Sequence, residues 1–342
     1  MDYAGGNCSL QIPREAKDAV SAWYIGRVIN ARYVRQGEVN HNFVIGTSKG
    51  KYVLRQAAHH RTSAELEFEL AYLDYLSRSN FPYKIPLAIP TTNGELFVAV
   101  QGRFYWLYEF LEGTFVERLN KSRLTQLARM MATYHLLIEK SHLNNGKPHS
   151  DLFNRTPVLK EIGDYQAEIL HRNRANRDDV TFVKESKILE RILRGLDESP
   201  YSNLRWYPIH GDINPQNLIW KNGMLVGLLD FENVSTTNGP TIRDISQCYN
   251  TAFRDAKVKH RLNLNLVKQF LLYYKQYHPM SNKEVRLIPN LMIAGFIEDF
   301  VYAFWMLRND PERARGYRLA LYSRAARWSH SNRERIAQAL LS

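Results

Sequence analysis

Residues 206–234 read WYPIHGDINPQNLIWKNGMLVGLLDFENV. Short apolar runs, YPI, LIW and LVGLL, have the length and composition of buried strands. Between them stand His210, Asp212, Asn214, Asn217, Asp230 and Glu232. Such a density of acids and amides beside buried strands has two readings: turn formers, or a site that holds a cation and moves a proton. Asn214-Pro215 and Asn222-Gly223 read as plain turns. Asp212, Asn217 and Asp230 suit phosphoryl transfer from ATP, which needs a carboxylate near the acceptor hydroxyl and oxygen ligands for Mg²⁺. An Asp on a loop takes the hydroxyl proton, an Asn farther along that loop turns its carbonyl oxygen to the metal, and an Asp after the next strand supplies the anionic ligand. The turn reading stays open for these three as well.

Working outward, residues 31–57 read as strand, turn, strand, turn, strand, and residues 14–25 as a short helix. In residues 62–81, Leu66, Leu70, Leu73 and Leu76 follow the helical period, with Thr62 or Ser63 placed to cap the start. Three prolines then exclude helix over residues 81–90, and the Asn93-Gly94 pair predicts a hairpin turn between two apolar runs. After Gly113 the pattern becomes helical: over 123–142, over much of 157–197, and from about 243 to the end with a break near 278–282. The expected architecture is α+β and bilobal, with a small β-rich N-lobe (residues 1–110) and a larger α-helical C-lobe (111–342). The hinge lies near 108–113, and the ligand cleft between the lobes.

Composition bounds the function. At 342 residues the chain exceeds one small core, and 44% hydrophobic with 23% charged residues is usual for a globular protein. No uninterrupted apolar run suggests a membrane span, and the N-terminus lacks a secretory pattern. Two cysteines, Cys8 and Cys248, suit a reducing cytoplasmic setting and exclude a disulfide framework. A net charge of +12 attracts anions, but no basic block or nucleic-acid motif accompanies it, so a nucleic-acid role is not expected. The Arg-rich tail over 308–336 interleaves apolar residues at helical spacing and reads first as an amphipathic surface helix and second as a phosphate or membrane contact. The histidines show no zinc spacing; His135 and His142 read as ordinary residues of the 123–142 helix.

The stretch IHGDINPQNLI…GLLDFE resembles the signature of the aminoglycoside phosphotransferase and choline kinase superfamily, the small-molecule branch of the protein-kinase-like fold. The likeness covers most of the chain: VRQGEVNHNFVI…KYVLRQ resembles the opening strands, WLYEFLEG the hinge, and IRDISQ the element that starts the helices after the metal Asp. Gly211 replaces the Arg usual in protein kinases, Glu232 replaces the Gly after Asp-Phe, and no Ala-Pro-Glu element follows Asp230. The homoserine-kinase-type branch is the most similar.

The resemblance implies an ATP-dependent kinase of a small hydroxyl compound, with Asp212 as catalytic base and Asn217 and Asp230 holding Mg²⁺. It implies that His210 braces the loop and that Asp244 supports it as a structural cap. Arg55 stands where the family has a phosphate-contacting Lys, with Glu69 as its pairing acid and Glu65 as a substitute; Arg keeps the charge without being equivalent. Asn40 belongs to a one-glycine loop that is either a phosphate cradle or an ordinary hairpin turn. The backbone at Glu109 and Leu111 is expected to hydrogen-bond adenine. Glu232 either binds a substrate ammonium or caps a turn. Glu298 and Asp299 are adjacent on a helix, so at most one enters the cleft. Tyr249, Tyr302 and Trp305 line a pocket or form core. The acceptor stays open between an amino alcohol (homoserine, choline or ethanolamine) and a sugar or aminoglycoside. The alternative class is a catalytically silent pseudokinase that binds nucleotide or a partner.

Overall fold

The computed structural model describes residues 12–34, 40–116, 119–147, 151–172 and 174–342. Helix α1 (Arg14–Val20) precedes strands β1 (Val28–Val34), β2 (His41–Thr47) and β3 (Lys51–Gln56). Then come α2 (Ser63–Arg78), β4 (Val98–Val100) and β5 (Arg103–Glu109), giving a five-stranded antiparallel sheet of order β1-β2-β3-β5-β4. Thr62 caps α2: its hydroxyl accepts from Glu65 N–H at 3.2 Å, and Glu65 Oε2 accepts from Thr62 N–H at 3.1 Å. The four periodic leucines of α2 are all buried, each contributing about 1.5–3 kcal/mol by leaving water.

The predicted hairpin exists, but not at Asn93-Gly94. Gln101 and Gly102, at φ 50° and 73°, make the turn between β4 and β5, the two positive angles of a type I′ connection. Pro86 and Pro90 lack the N–H a ladder requires, so the run before Asn93 does not enter the sheet. Asn93-Gly94 instead lies in a local loop closed by Thr91 N–H to Glu95 O at 2.7 Å.

Beyond β5 the chain crosses through residues 110–113 into α3 (Lys121–Ile138), α4 (Arg155–Leu170) and α5 (Arg177–Arg194). Residues 206–234 supply β6 (Tyr207–Pro208), β7 (Leu218–Lys221) and β8 (Met224–Leu228), followed by β9 (Asn238–Gly239). Helices α6 (Thr241–Ala252), α7 (Leu264–Lys275), α8 (Asn282–Asn309), α9 (Leu319–Ser331) and α10 (Arg333–Leu341) complete the fold. One continuous core joins α2 to the helical part through Tyr72, Tyr134 and Phe231. The β7–β8 hairpin is tied to the crossing segment by Thr114 N–H to Trp220 O at 2.8 Å and Trp220 N–H to Thr114 O at 2.9 Å. On another side Arg313 donates to Tyr33 Oη at 2.8 Å, joining the turn after α8 to β1. The architecture is the α+β, bilobal protein-kinase-like fold.

Helix α8 is, by length and composition, apolar enough to cross a membrane, yet 72% of its apolar window is buried inside the protein, so it is a core helix of this fold. The Arg-rich tail is not one surface helix: a turn at Arg313–Gly316 divides it from α8, and α9 and α10 bury Leu319, Ala326, Ile336 and Leu340. Cys248 is buried and unpaired, while Cys8 lies outside the described residues. Tyr249 is core, packed edge-on to Phe253 and Phe270, whereas Tyr302 and Trp305 stack at the surface.

Candidate active site

Strand β6 runs straight into His210-Gly211-Asp212. Gly211 has φ 71°, and a Cβ there would sit 3.2 Å from Asn233 Cβ, so the turn requires glycine. Asp244, fully buried in the first turn of α6, holds this backbone: Oδ1 accepts from Gly211 N–H at 2.7 Å and Oδ2 from His210 N–H at 3.3 Å. His210 Nε2 donates to Leu229 O at 2.9 Å, and its Nδ1 accepts from Asp212 N–H at 3.2 Å. Burial lowers the pKa of this imidazole against the pull of Asp244, so it is a neutral brace between the loop and the end of β8.

Asp212 is held from both sides. Oδ1 accepts from Asn214 Nδ2 at 2.7 Å and Oδ2 from Asn217 Nδ2 at 2.8 Å. Asn217 Nδ2 also donates to Asp212 O at 2.9 Å, which leaves the amide carbonyl oxygen available to a cation. Asn214, expected to be only a turn residue, therefore also orients the carboxylate. Burial, and then the charge of Asp230, push the Asp212 carboxyl up to about 8 despite those two amides.

Asp230 follows β8 at φ 67°, a left-handed conformation uncommon for a non-glycine residue. Phe231 beneath it is fully buried, 4.8 Å from the His210 ring, and pins the turn. The Asp230 carboxylate receives Arg55 from β3, and that charge holds its pKa low against the effect of burial. Burial alone would lower the Arg55 guanidinium, but Asp230, Glu69 and Glu232 raise it.

The expected Arg55–Glu69 pair is not formed. Glu69 pairs instead with Arg61 at 2.6 Å, and Arg61 Nη1 donates to Glu232 O and Ser235 Oγ, each at 2.8 Å. Arg61 stands just before the cap of α2 and outside any periodic pattern, so nothing in the sequence marked it. Glu65 caps α2 and meets Lys147 at 3.0 Å, not Arg55. The Glu232 carboxylate accepts from Asn40 Nδ2 at 2.5 Å and lies 3.7 Å from Arg55. It faces the sheet and its cations. Asn40 Oδ1 in turn accepts from Ala58 N–H at 3.1 Å, while residues 37–39 of its loop lie outside the described residues. Near the hinge, Phe110 N–H is spent on Lys51 O at 2.9 Å, and Leu111 N–H has no protein acceptor among the described residues. Glu109 ends β5 opposite Tyr52.

Sequence reasoning also missed His135. It is a buried hub of α3, with Nδ1 2.6 Å from Tyr274 Oη and Nε2 3.3 Å from Asp244 Oδ2. His142 lies beyond the end of α3 and is exposed.

The site thus gathers four carboxyl groups, Glu69, Asp212, Asp230 and Glu232, with two guanidiniums, Arg55 and Arg61. Two negative charges are left uncompensated when all are ionised. Burial, only partly opposed by Arg55 and Arg61, raises Glu69 to about 7, and one of its oxygens, Oε1, has no hydrogen-bond partner. Among the described residues no group of three or more His, Cys, Asp or Glu converges on one point. The clustered oxygen donors, which repel one another enough to raise Asp212 and Glu69, fit a hard divalent cation that takes its remaining ligands from water and phosphate.

The phosphotransferase enzyme family model matches residues 30–277, most of the chain and all of the groups just described. The chain belongs to the phosphotransferase enzyme family. As a member it is a small-molecule kinase. It is 23% identical over 293 residues to a homoserine kinase of Rhizobium etli, covering 85% of this chain and 84% of that protein. It is 24% identical over 277 residues to a homoserine kinase of Bradyrhizobium sp., covering 81% and 79%. This phosphotransferase shares its fold with an aminoglycoside phosphotransferase from Alicyclobacillus acidocaldarius at TM-score 0.65, 14% identity and coverage of 98% and 97%. It also resembles a microcompartment-associated aminopropanol kinase at TM-score 0.64, 16% identity and coverage of 96% and 98%.

Proposed function

We propose that the chain transfers the γ-phosphate of ATP to the hydroxyl of a small amino alcohol of the homoserine type, in the cytoplasm. Residues 1–110 form the nucleotide-binding lobe and 111–342 the catalytic, acceptor-binding lobe. The observation that carries the reading is that Asn217 bonds the Asp212 carboxylate at 2.8 Å while Asp230 stands near enough for its charge to help raise that carboxyl to about 8. Asp212 takes the hydroxyl proton as the acceptor oxygen bonds to the γ-phosphorus, the bond from that phosphorus to the bridging oxygen breaks, and ADP leaves. Asn214 and Asn217 keep the carboxylate aimed, and His210 and Asp244 keep its loop in place. Asp230 and the Asn217 carbonyl oxygen would hold Mg²⁺, which when bound would offset charge on the phosphates. Arg55 turns from Asp230 to the α- and β-phosphates, and the backbone at Glu109 and Leu111 receives adenine.

The test is ATP consumption across a panel of amino alcohols, sugars and aminoglycosides, with Mg²⁺-dependent binding of a non-hydrolysable ATP analogue measured alongside. Asp212→Asn is expected to lower turnover by about 10²–10⁴-fold with analogue affinity unchanged. Unchanged turnover rules out Asp212 as the base. Tight analogue binding with no turnover on any acceptor supports a nucleotide-binding pseudokinase instead.

A further inference from the structure

Arg243 is the residue before Asp244, whose carboxylate holds the N–H groups of His210 and Gly211. Its side chain is only 8% exposed. The stem lies along the chain that carries the catalytic loop: a Cβ added at Gly239 would stand 3.2 Å from Arg243 Cδ and 3.1 Å from Ile209 Cδ1. The glycine in β9 leaves the room the stem occupies.

The guanidinium makes no hydrogen bond to the described residues. Its nearest acid is Glu298 of α8, at 3.6 Å, beyond the 2.7–2.9 Å of a good charged pair. Arg61 and Glu69 reach 2.6 Å in the same protein, so the fold builds tight ion pairs where it uses them. None of the unbonded Arg243 nitrogens is among the fully sealed unpartnered atoms, so its donors keep some contact with solvent. A guanidinium this deeply buried with five idle donors is costly unless something fills them. Glu298 stands opposite; its carboxyl accepts a hydrogen bond from the Asn154 side chain, and burial, then Asp151, raise it while Arg243 lowers it.

We infer that Arg243 and Glu298 form an acceptor subsite for an alcohol carrying both an ammonium and a carboxylate: the carboxylate meets Arg243, and the ammonium meets Glu298. The inference rests on the kinase reading above and narrows it from amino alcohols in general to amino-acid alcohols. A zwitterion placed between the two groups replaces one loose contact with two close ones, and it sits beside the loop that presents Asp212. Glu232, engaged by Asn40 and Arg55, does not compete for the ammonium.

The test compares L-homoserine with 3-amino-1-propanol, which has the same hydroxyl and amine but no carboxylate. Binding of each to the full chain loaded with Mg²⁺ and a non-hydrolysable ATP analogue is measured by calorimetry, and ATP turnover is followed in parallel. L-Homoserine is expected to bind about 100-fold more tightly, since a site built for a charged group strongly rejects an analogue lacking it. Arg243→Met is expected to bring the two to parity by weakening L-homoserine alone, with Arg243→Lys restoring part of the difference; Glu298→Gln is expected to weaken both. Equal wild-type affinities overturn the inference, as does absence of L-homoserine binding or an equal loss for both ligands in Arg243→Met, the mark of a structural ion pair. If Arg243→Met fails to fold, the wild-type comparison and Glu298→Gln decide. Turnover of 3-amino-1-propanol without L-homoserine binding sinks the subsite and leaves the kinase reading intact, whereas no binding and no turnover with any acceptor sinks both.

Discussion

Asp244 shows how a residue outside the reacting centre controls it. Its two carboxylate oxygens meet three donors, the N–H groups of His210 and Gly211 and Nε2 of His135. In Asp244→Asn one oxygen becomes an NH₂ group, which faces a donor whichever way the amide turns. The expected loss is roughly 2–4 kcal/mol of stability, from a charge-assisted network left with an unpaired buried donor. Urea melts measure it. A loss below about 0.5 kcal/mol means that the network is not what holds the loop. Asp244 was readable only through the resemblance carried by IRDISQ, since Pro240 holds the cap position of α6 and the Asp244 carboxylate serves the loop instead. His135, which completes the network, was not: a His at a core position of an amphipathic helix carries no sign of its partner 109 residues away. Arg61 and Asn214 were missed for the same reason, since both bond to groups whose position depends on tertiary packing.

At the scale of elements, two glycines separate local from tertiary demands. Gly223, at φ 78°, closes the β7–β8 hairpin with nothing within 4 Å of an added Cβ. Gly113, at φ 154°, carries the crossing segment past β7, where an added Cβ would lie 2.3 Å from Ile219 Cγ2 and 2.7 Å from Trp220 O. Gly223→Ala is expected to cost about 1–2 kcal/mol, the price of the left-handed backbone. Gly113→Ala is expected to cost at least about 3 kcal/mol, because overpacking adds to the strain and the Thr114–Trp220 bonds must shift. Equal losses in denaturant melts contradict this account of the crossing. The Asn222-Gly223 turn was legible because a hairpin turn is chosen by its own residues. The β4–β5 turn was not, because Asn93-Gly94 offered a stronger local signal than Gln101-Gly102. Only the pairing of β5 with β3 decides which run enters the sheet.

Across the whole molecule, the helical core and the loop it supports share one interface, where α3 meets α7. His135 and Tyr274 join the two helices beneath Asp244, and His278, just beyond α7, closes the far end. His278 Nε2 meets Glu139 Oε1 at 2.9 Å, and its Nδ1 donates to Pro279 O at 3.0 Å; Glu284 adds a second negative charge, and the rings of Tyr274 and His135 pack against it. Burial lowers the imidazole pKa, but Glu139, Pro279 O and Glu284 outweigh it and raise the value above 6.5. A group whose folded pKa is raised binds its proton more tightly when folded, so its stabilisation is complete below about 6.5 and disappears as pH rises through the folded value. The pair is partly exposed, which limits its contribution to about 1 kcal/mol or less. Glu139→Gln is therefore expected to lower Tm by about 1–3 °C at pH 5.5 and by progressively less as pH rises, the two proteins converging once His278 is neutral in both. A difference that persists unchanged at pH 9 assigns the effect to packing of the Glu139 stem. A difference that grows with pH reverses the sign and removes His278 as the titrating group.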